Sequence, residues 1–226
     1  MYAAEKGYQY VRVKTPNSDI LWILMFHANK IKATVLYETG HGNKKRLLHI
    51  TELSQHYVNK CDALLGLHAF AGCDVTSAFK GIGKVKPLKK MLQSPTFCHT
   101  LSQLGNSWTL SPGLVAGLEK FVCALCGKAN FDSVDDVRHF MLKLKCDGKI
   151  SKEALDKTNV DFNKMPPDSE SLEQRIRRAN CITKVWKTAH NPSKAGTPKA
   201  MGGSRMAIYR RATMVFRSHD LTRVFD

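Results

Sequence analysis

The sequence predicts a mixed α/β protein, because β-rich segments near the N-terminus are followed by long stretches with helical periodicity. Residues 8–14 (YQYVRVK) alternate apolar and polar side chains, as a half-buried strand does. Residues 33–37 and 45–50 are β-rich and flank Gly-His-Gly-Asn, which predicts a hairpin. Helices are predicted at 51–57 with Thr51 as the cap, 60–71, 84–92, 113–127 and 134–145.

The longest apolar run, ILWILMF at 20–26, is too short to span a membrane and suits a buried strand or a short helix. The first residues lack the apolar core of a signal peptide. Seven cysteines are scattered without paired spacing, which favours reduced thiols over a disulfide framework. We therefore expect an intracellular protein, nuclear rather than cytoplasmic.

The C-terminal half predicts one more long helix. Residues 94–112 are turn-rich and uncharged, and residues 147–167 form a polar connection ending in Met-Pro-Pro. A helix follows at 169–190, with Asp168 as its N-cap. The basic residues 175, 178, 184 and 187 lie off its apolar stripe. That stripe consists of Leu172, Ile176, Ala179, Thr183 and Trp186.

The charge is strongly positive and uneven. The net charge is +16, and residues 75–118 contain five lysines but no Asp or Glu. From residue 175 to the end, twelve Lys and Arg stand against two Asp. Such a surplus favours polyanionic partners, nucleic acid before an anionic membrane, although a solvated basic surface is the alternative.

The clearest local motif is the glycine turn, Lys80-Gly81-Ile82-Gly83-Lys84. Two glycines allow a turn to expose consecutive backbone N–H groups, and the next helix adds its dipole. With the flanking lysines and Lys86, this arrangement predicts a phosphate-binding turn. A plain tight turn is the alternative.

Gly72-Cys73-Asp74 followed by this glycine turn resembles the helix–three-turn–helix region of the flap-endonuclease (5′-nuclease) superfamily, whose catalytic domain is PIN-like. Residues 11–24 (VRVKTPNSDILWIL) resemble the strand and D-x-D segment of the same superfamily. The resemblance covers roughly residues 8–92. Residues 165–167 and 177–186 resemble a group of uncharacterised, transposon-derived animal proteins with this core.

The resemblance implies metal-assisted phosphodiester hydrolysis, in which carboxylates at strand ends hold Mg²⁺ or Mn²⁺. Asp19 and Asp74 match catalytic acids of the family, and Asn17 stands where the first acid of D-x-D is expected. Asn17, Asp19 and Asp74 are thus the implied metal ligands. Because asparagine is uncharged and the other family acids lie further upstream, we expect weak metal binding or none.

The implied organisation is the C-terminal half of a PIN-like parallel-sheet domain (1–92), an α-helical extension (93–190) and a basic, disordered tail (191–226). The missing first strands would leave residues 8–14 and 20–26 with an unpaired apolar edge. We therefore expect a fragment of a longer ancestral protein, with its sheet edge covered by a partner chain.

Three functions fit these observations. The first is a degenerate nuclease that binds nucleic acid, DNA rather than RNA, without a membrane partner. The second is an active Mg²⁺-dependent nuclease completed by another chain. The third is a non-enzymatic module whose basic surface serves a protein or membrane partner.

Simpler interpretations remain for the individual residues. Asp74 could cap a following helix through the amides of residues 75–77, and Asp19 could be an ordinary turn acid. Cys123 and Cys126 have zinc-knuckle spacing but lie in an apolar helical run, so core cysteines are expected there. His68 is expected in the core for the same reason.

Overall fold

The computed structural model describes residues 7–146, 150–151, 162 and 165–190. It is a mixed α/β protein with a small three-stranded sheet and several helices, and it divides into two compact units. The first unit comprises the chain through Cys61 together with the described residues from Trp186 on. The second comprises Asp62–Val185. The predicted tail at 191–226 lies outside the described residues.

The first unit is built on a sheet of strand order β1-β2-β3, where β1 is Tyr10–Lys14, β2 is Thr34–Thr39 and β3 is Arg46–His49. β1 and β2 pair in parallel, with Tyr10 opposite Thr34. β2 and β3 pair antiparallel, which confirms the predicted hairpin. The sheet is therefore mixed rather than the parallel sheet that the sequence predicted.

Helix α1, Ser18–His27, connects the two parallel strands and contains the apolar run ILWILMF. Of the two structures predicted for this run, the short helix is correct. The expectation that residues 20–26 expose an unpaired strand edge is thus wrong. Within the described residues β1 pairs only with β2, and it carries Arg12 and Lys14, charges of the kind that discourage edge-to-edge pairing.

Helix α2, Ile50–His56, begins directly after β3. Its N-cap is His49, whose Nδ1 accepts the Glu52 N–H at 3.3 Å, so the prediction of Thr51 as the cap was wrong. The Thr51 hydroxyl accepts the Val35 N–H of β2 at 2.9 Å instead. Thr51 therefore ties helix α2 to the sheet.

The second unit is helical. The prediction for 134–145 is confirmed, and those for 60–71, 84–92 and 113–127 are correct within two residues. The helix at 95–102 lies in a segment predicted to be turn-rich, and Ser94 caps it by accepting the Phe97 N–H at 3.3 Å. The helices are α3 (Cys61–Ala71), α4 (Val85–Leu92), α5 (Pro95–Ser102), α6 (Pro112–Leu125), α7 (Val134–Lys145) and α8 (Ser169–Thr188).

Helix α8 confirms the predicted cap and stripe. Asp168 Oδ1 accepts the Ser171 N–H at 2.7 Å, and every residue of the predicted stripe is buried. The helix also buries Asn180, which accepts the Gly105 N–H and donates to the Ser107 carbonyl, both at 2.8 Å. Among the helices of the described residues, none is long and apolar enough to cross a membrane.

Candidate nucleic-acid interface

Asn17 and Asp19 lie where the two parallel strands end. The Thr15 N–H donates to the Glu38 carbonyl at 3.1 Å, and the Tyr37 hydroxyl donates to the Asn17 carbonyl at 2.9 Å. Both contacts hold the loop of residues 15–17 against the carboxyl end of β2. In α/β proteins, ligands bind at this edge of the sheet.

Asp19 is buried, with 6% of its surface exposed. The Asp19 N–H donates to Asn17 Oδ1 at 2.7 Å, so the amide oxygen predicted as a metal ligand serves as the N-cap of α1. Burial raises the pKa of the Tyr37 phenol, and the nearby Asp19 carboxylate raises it further. Asp19 is therefore an acid enclosed next to the strand ends rather than on an open turn.

Asp74 is exposed in a tight turn of the second unit. Cys73 and Thr76 close this turn with reciprocal backbone hydrogen bonds of 2.9 and 3.3 Å. The Thr76 hydroxyl donates to the Ala69 carbonyl, which fixes the turn to the end of α3. Because the next helix begins only at Val85, the alternative that Asp74 caps a helix is wrong.

The implied metal ligands fall in different compact units, Asn17 and Asp19 in the first and Asp74 in the second. Within the described residues, no group of three His, Cys, Asp or Glu side chains is placed to hold a metal ion. The Asn17 side-chain oxygen already accepts a hydrogen bond. Mg²⁺ or Mn²⁺ binding by these three residues stays a prediction.

The glycine turn is a β-turn over residues 79–82. Ile82 N–H donates to the Phe79 carbonyl at 3.1 Å, and Gly81 adopts a φ of +74°. A positive φ at this position is typical of a type II turn and favours glycine. Since Ile82 uses its N–H to close the turn, it is not one of the amides that could meet a phosphate.

Other amides of the turn are open. The Gly81 and Gly83 N–H groups donate no hydrogen bond to the described residues. Lys84 is the N-cap of α4 but makes no side-chain cap bond. No heavy atom lies within 4 Å of where a Gly83 Cβ would stand, so a ligand can approach this backbone closely.

The lysines around the turn form an exposed basic surface. Lys80, Lys84, Lys86 and Lys89 are exposed, and Lys90 is half-buried. Lys84 Nζ lies 3.4 Å from Nδ1 of His68, which is buried in α3 as predicted. Because a lysine ammonium has donors only, Lys84 donates this hydrogen bond to His68, which orients the lysine without cancelling its charge.

Sequence reasoning missed Arg175 of α8, which fixes the segment that leads into the glycine turn. Its Nη1 donates to the Ser77 carbonyl at 2.5 Å and the Phe70 carbonyl at 3.3 Å. Its guanidinium lies 3.9 Å from the centroid of the buried Phe79 ring. The only signal in the sequence was the i,i+3 spacing of Arg175 and Arg178 off the buried stripe.

Of the C-x-x-C pair, Cys123 lies in the core, as predicted, whereas Cys126 does so only in part. Cys123 is fully buried and Cys126 is half-buried. Burial raises the pKa of the Cys123 thiol to about 11 and also raises that of Cys126. Such thiols are poor nucleophiles and poor metal ligands at neutral pH.

The second unit thus carries an exposed basic turn with open amides, which can bind anions. The first unit carries a buried acid at a strand end, which is a potential ligand for cations. Comparison with protein-family models, with curated proteins and with solved structures found no match to this chain.

Proposed function

We propose that this chain binds the phosphate backbone of nucleic acid, DNA rather than RNA, through the glycine turn and the lysines around it. The observation that supports the proposal is the combination of the positive-φ Gly81, open amides at Gly81 and Gly83, and exposed lysines. Residues 75–118, which include these lysines, contain no Asp or Glu in the sequence. Backbone amides and lysines of this kind position phosphates without reading bases.

We further propose that the fold is a degenerate PIN-like nuclease core. Helix α3, the Asp74 turn, the glycine turn and α4 follow one another in the order that the resemblance implies. Asp19 lies at the carboxyl end of parallel strands, where this superfamily holds its acids. The proposal is confined to binding and assigns no catalytic step to Asp19 or Asp74.

The test is fluorescence anisotropy of the full chain with labelled 5′-flap, single-stranded and duplex DNA, over a range of salt concentrations. The variant is Lys80→Gln/Lys84→Gln. The matched control is Lys143→Gln/Lys145→Gln, which removes two exposed lysines of α7. We expect the first pair to weaken binding and to reduce the salt slope by roughly 1.4 to 1.8.

The control pair should change the affinity and the salt slope much less. Equal effects of the two pairs would mean that only net charge matters, and would overturn the assignment to the glycine turn. Binding to anionic vesicles in preference to DNA would favour the membrane-partner alternative.

The active-nuclease alternative is tested on the same flap substrate with added Mg²⁺ or Mn²⁺. The observation that favours this alternative is the burial of the Asp19 carboxylate next to the strand ends. Cleavage by the wild type that is lost in Asp74→Asn would establish a working metal site. Binding without cleavage would support the degenerate nuclease.

A further inference from the structure

A small pocket in the second unit lies between the Asp74 turn and the start of α8. Its volume is about 160 Å³, which is enough for a phosphate group. Nothing in the sequence motifs pointed to it, because its walls come from segments almost a hundred residues apart. It is lined by Thr76, Ser77, Pro167, Ser171, Arg175 and Arg178.

The pocket carries two positive charges without an opposing acid. Among the residues that the structure describes, neither Arg175 nor Arg178 forms an ion pair, whereas the neighbouring Arg177 pairs with Glu173. Burial and then the charge of Arg178 lower the pKa of Arg175. A half-buried charge is normally compensated by a partner of opposite sign, so this pair favours an anion.

The hydrogen-bonding capacity of the pocket matches a phosphate. Arg175 uses Nη1 on two carbonyls, and Arg178 uses Nε on the Gln174 carbonyl at 3.3 Å, so each guanidinium keeps N–H groups for a ligand. Ser77 is an exposed residue that lines the same pocket and carries a hydroxyl group. Paired guanidinium groups bind phosphate oxygens with two-pronged geometry.

The other polar groups of the pocket are already engaged. The Thr76 hydroxyl donates to Ala69, and the Ser171 N–H donates to the Asp168 carboxylate. Asp168 is therefore held at the start of α8 by its own hydrogen bonds. The ligand-binding groups are Arg175, Arg178 and Ser77.

We propose that this pocket binds a second phosphate group of the nucleic-acid strand that contacts the glycine turn. The proposal rests on the proposed function and extends its contact surface. Ser77 and Gly81 are four residues apart, so their Cα atoms are at most about 14 Å from each other. At roughly 3.4 Å of rise per nucleotide, one strand reaches both sites within about four nucleotides.

Two sources supply this chemistry, an internal phosphodiester or a terminal 5′-phosphate. The experiment compares single-stranded oligonucleotides with a 5′-phosphate and a 5′-hydroxyl, using anisotropy of the full chain. Equal affinity assigns the pocket to the internal backbone. A preference for the 5′-phosphate that Arg178→Gln abolishes assigns it to the strand end.

The central comparison is Arg178→Gln with Arg177→Gln. Both variants remove one exposed arginine from helix α8, but only Arg178 lines the pocket. We expect Arg178→Gln to weaken oligonucleotide binding about fivefold to tenfold, as loss of a charge-assisted contact does. Arg177→Gln should weaken it less than twofold.

Arg175→Lys keeps the charge but removes the planar guanidinium, and its folding is checked by a thermal melt. If Arg175→Lys melts as the wild type does, it should bind the oligonucleotide more weakly than the wild type. If Arg175→Lys does not fold, the comparison of Arg178→Gln with Arg177→Gln tests the pocket by itself. Equal effects of Arg178→Gln and Arg177→Gln on binding would overturn the proposal that the pocket binds a phosphate. They would not affect the proposal that the glycine turn binds nucleic acid. Loss of binding in Arg178→Gln but not in Lys80→Gln/Lys84→Gln supports the pocket and overturns the glycine turn.

Discussion

Gly81 and Gly83 are identical residues with different requirements. Gly81 adopts a φ of +74°, which other residues rarely adopt, whereas Gly83 does not have a positive φ. The sequence motif treats both as parts of one turn. The structure therefore separates a glycine that shapes the turn from a glycine that leaves room for a ligand.

Gly83→Ala should leave the melting temperature unchanged and weaken oligonucleotide binding about threefold or more, since the new methyl group blocks the close approach of a phosphate to the backbone. The measurement pairs a thermal melt with anisotropy titration. Unchanged affinity would show that no phosphate contacts this amide.

Gly105 combines a positive φ with a close contact. Its φ is +77°, and an added Cβ would lie 2.6 Å from the Lys184 nitrogen of α8. Gly127 has nearly the same φ, +74°, but no atom within 4 Å of its Cβ position. The two positions thus separate backbone strain from steric overlap.

Gly127→Ala should cost about 1–2 kcal/mol of unfolding free energy, which is the price of the left-handed conformation alone. Gly105→Ala should cost clearly more, because the turn must also move away from α8. Urea denaturation of both variants measures the difference. Similar losses would mean that the chain around Gly105 adjusts freely.

Individual site residues were only partly predictable. The glycine turn and its lysines follow from local spacing, and the sequence identified them. The burial of Asp19 and the use of the Asn17 oxygen as a cap depend on how α1 packs at the strand ends. No local pattern encodes that packing, so the sequence left Asp19 open between a metal ligand and a turn acid.

At the scale of elements, helix predictions succeeded where caps and amphipathic periodicity agreed. Ser133 caps α7 by accepting the Asp135 N–H, and the bounds of helix α7 were predicted correctly. The run ILWILMF stayed ambiguous because an unbroken apolar stretch fits a buried strand as well as a helix. Helix α5 was missed although Ser94-Pro95 is a helix-start signal.

The start of α8 makes a pH-dependent contribution to stability. Hydrogen bonds from Ser171 lower the pKa of Asp168 below its usual range. In the unfolded chain, the pKa of an Asp carboxyl group is about 3.9. Because the pKa of Asp168 is lower in the folded state, the ionised cap stabilises the fold fully above that unfolded value. This stabilisation is lost as the pH falls from the unfolded pKa through the folded pKa.

Asp168→Ala should therefore lower the unfolding free energy by about 1 kcal/mol at pH 7. The difference from the wild type should shrink as the pH falls below 4, because the unfolded carboxyl group then binds protons more readily than the folded cap does, which favours unfolding of the wild type. Denaturation at pH 7 and pH 3.5 measures it. Asp168→Asn, which keeps a capping oxygen, is the control and should lose less at pH 7.

Across the whole molecule, all seven cysteines, each in the described residues, are free thiols that differ in burial. Cys61, Cys123 and Cys146 are buried, whereas the other four are half-buried. Burial raises the pKa of Cys123 to about 11, so roughly one thiol in a thousand is ionised at pH 8. Reactivity should thus report the integrity of the core.

In the native protein at pH 8, a thiol reagent should modify Cys73 and Cys98 first and Cys123 last. In denaturant all seven should react at similar rates, because their pKa values converge near 8.5. Peptide mass spectrometry over time measures the order. Early modification of Cys123 in the native protein would contradict the packing of α6.

The α/β class was predictable for the whole molecule because strand and helix periodicities are local. The contact of Arg175 with Ser77 was not, since it joins residues 98 positions apart in the sequence. The spacing of residues in the sequence indicates which side chains are neighbours within one helix or strand. It does not indicate which helix will pack beside a given turn.

The position of Arg175 has a practical consequence for the choice of expression boundaries. A shortened chain ending before Ser169 would keep every lysine and glycine of the motif that the sequence identifies. It would lose the guanidinium that holds the Ser77 carbonyl and covers the Phe79 ring. Such a product would contain the sequence of the motif but lack Arg175, which orients the segment leading into the glycine turn. A minimal binding fragment must therefore extend through α8.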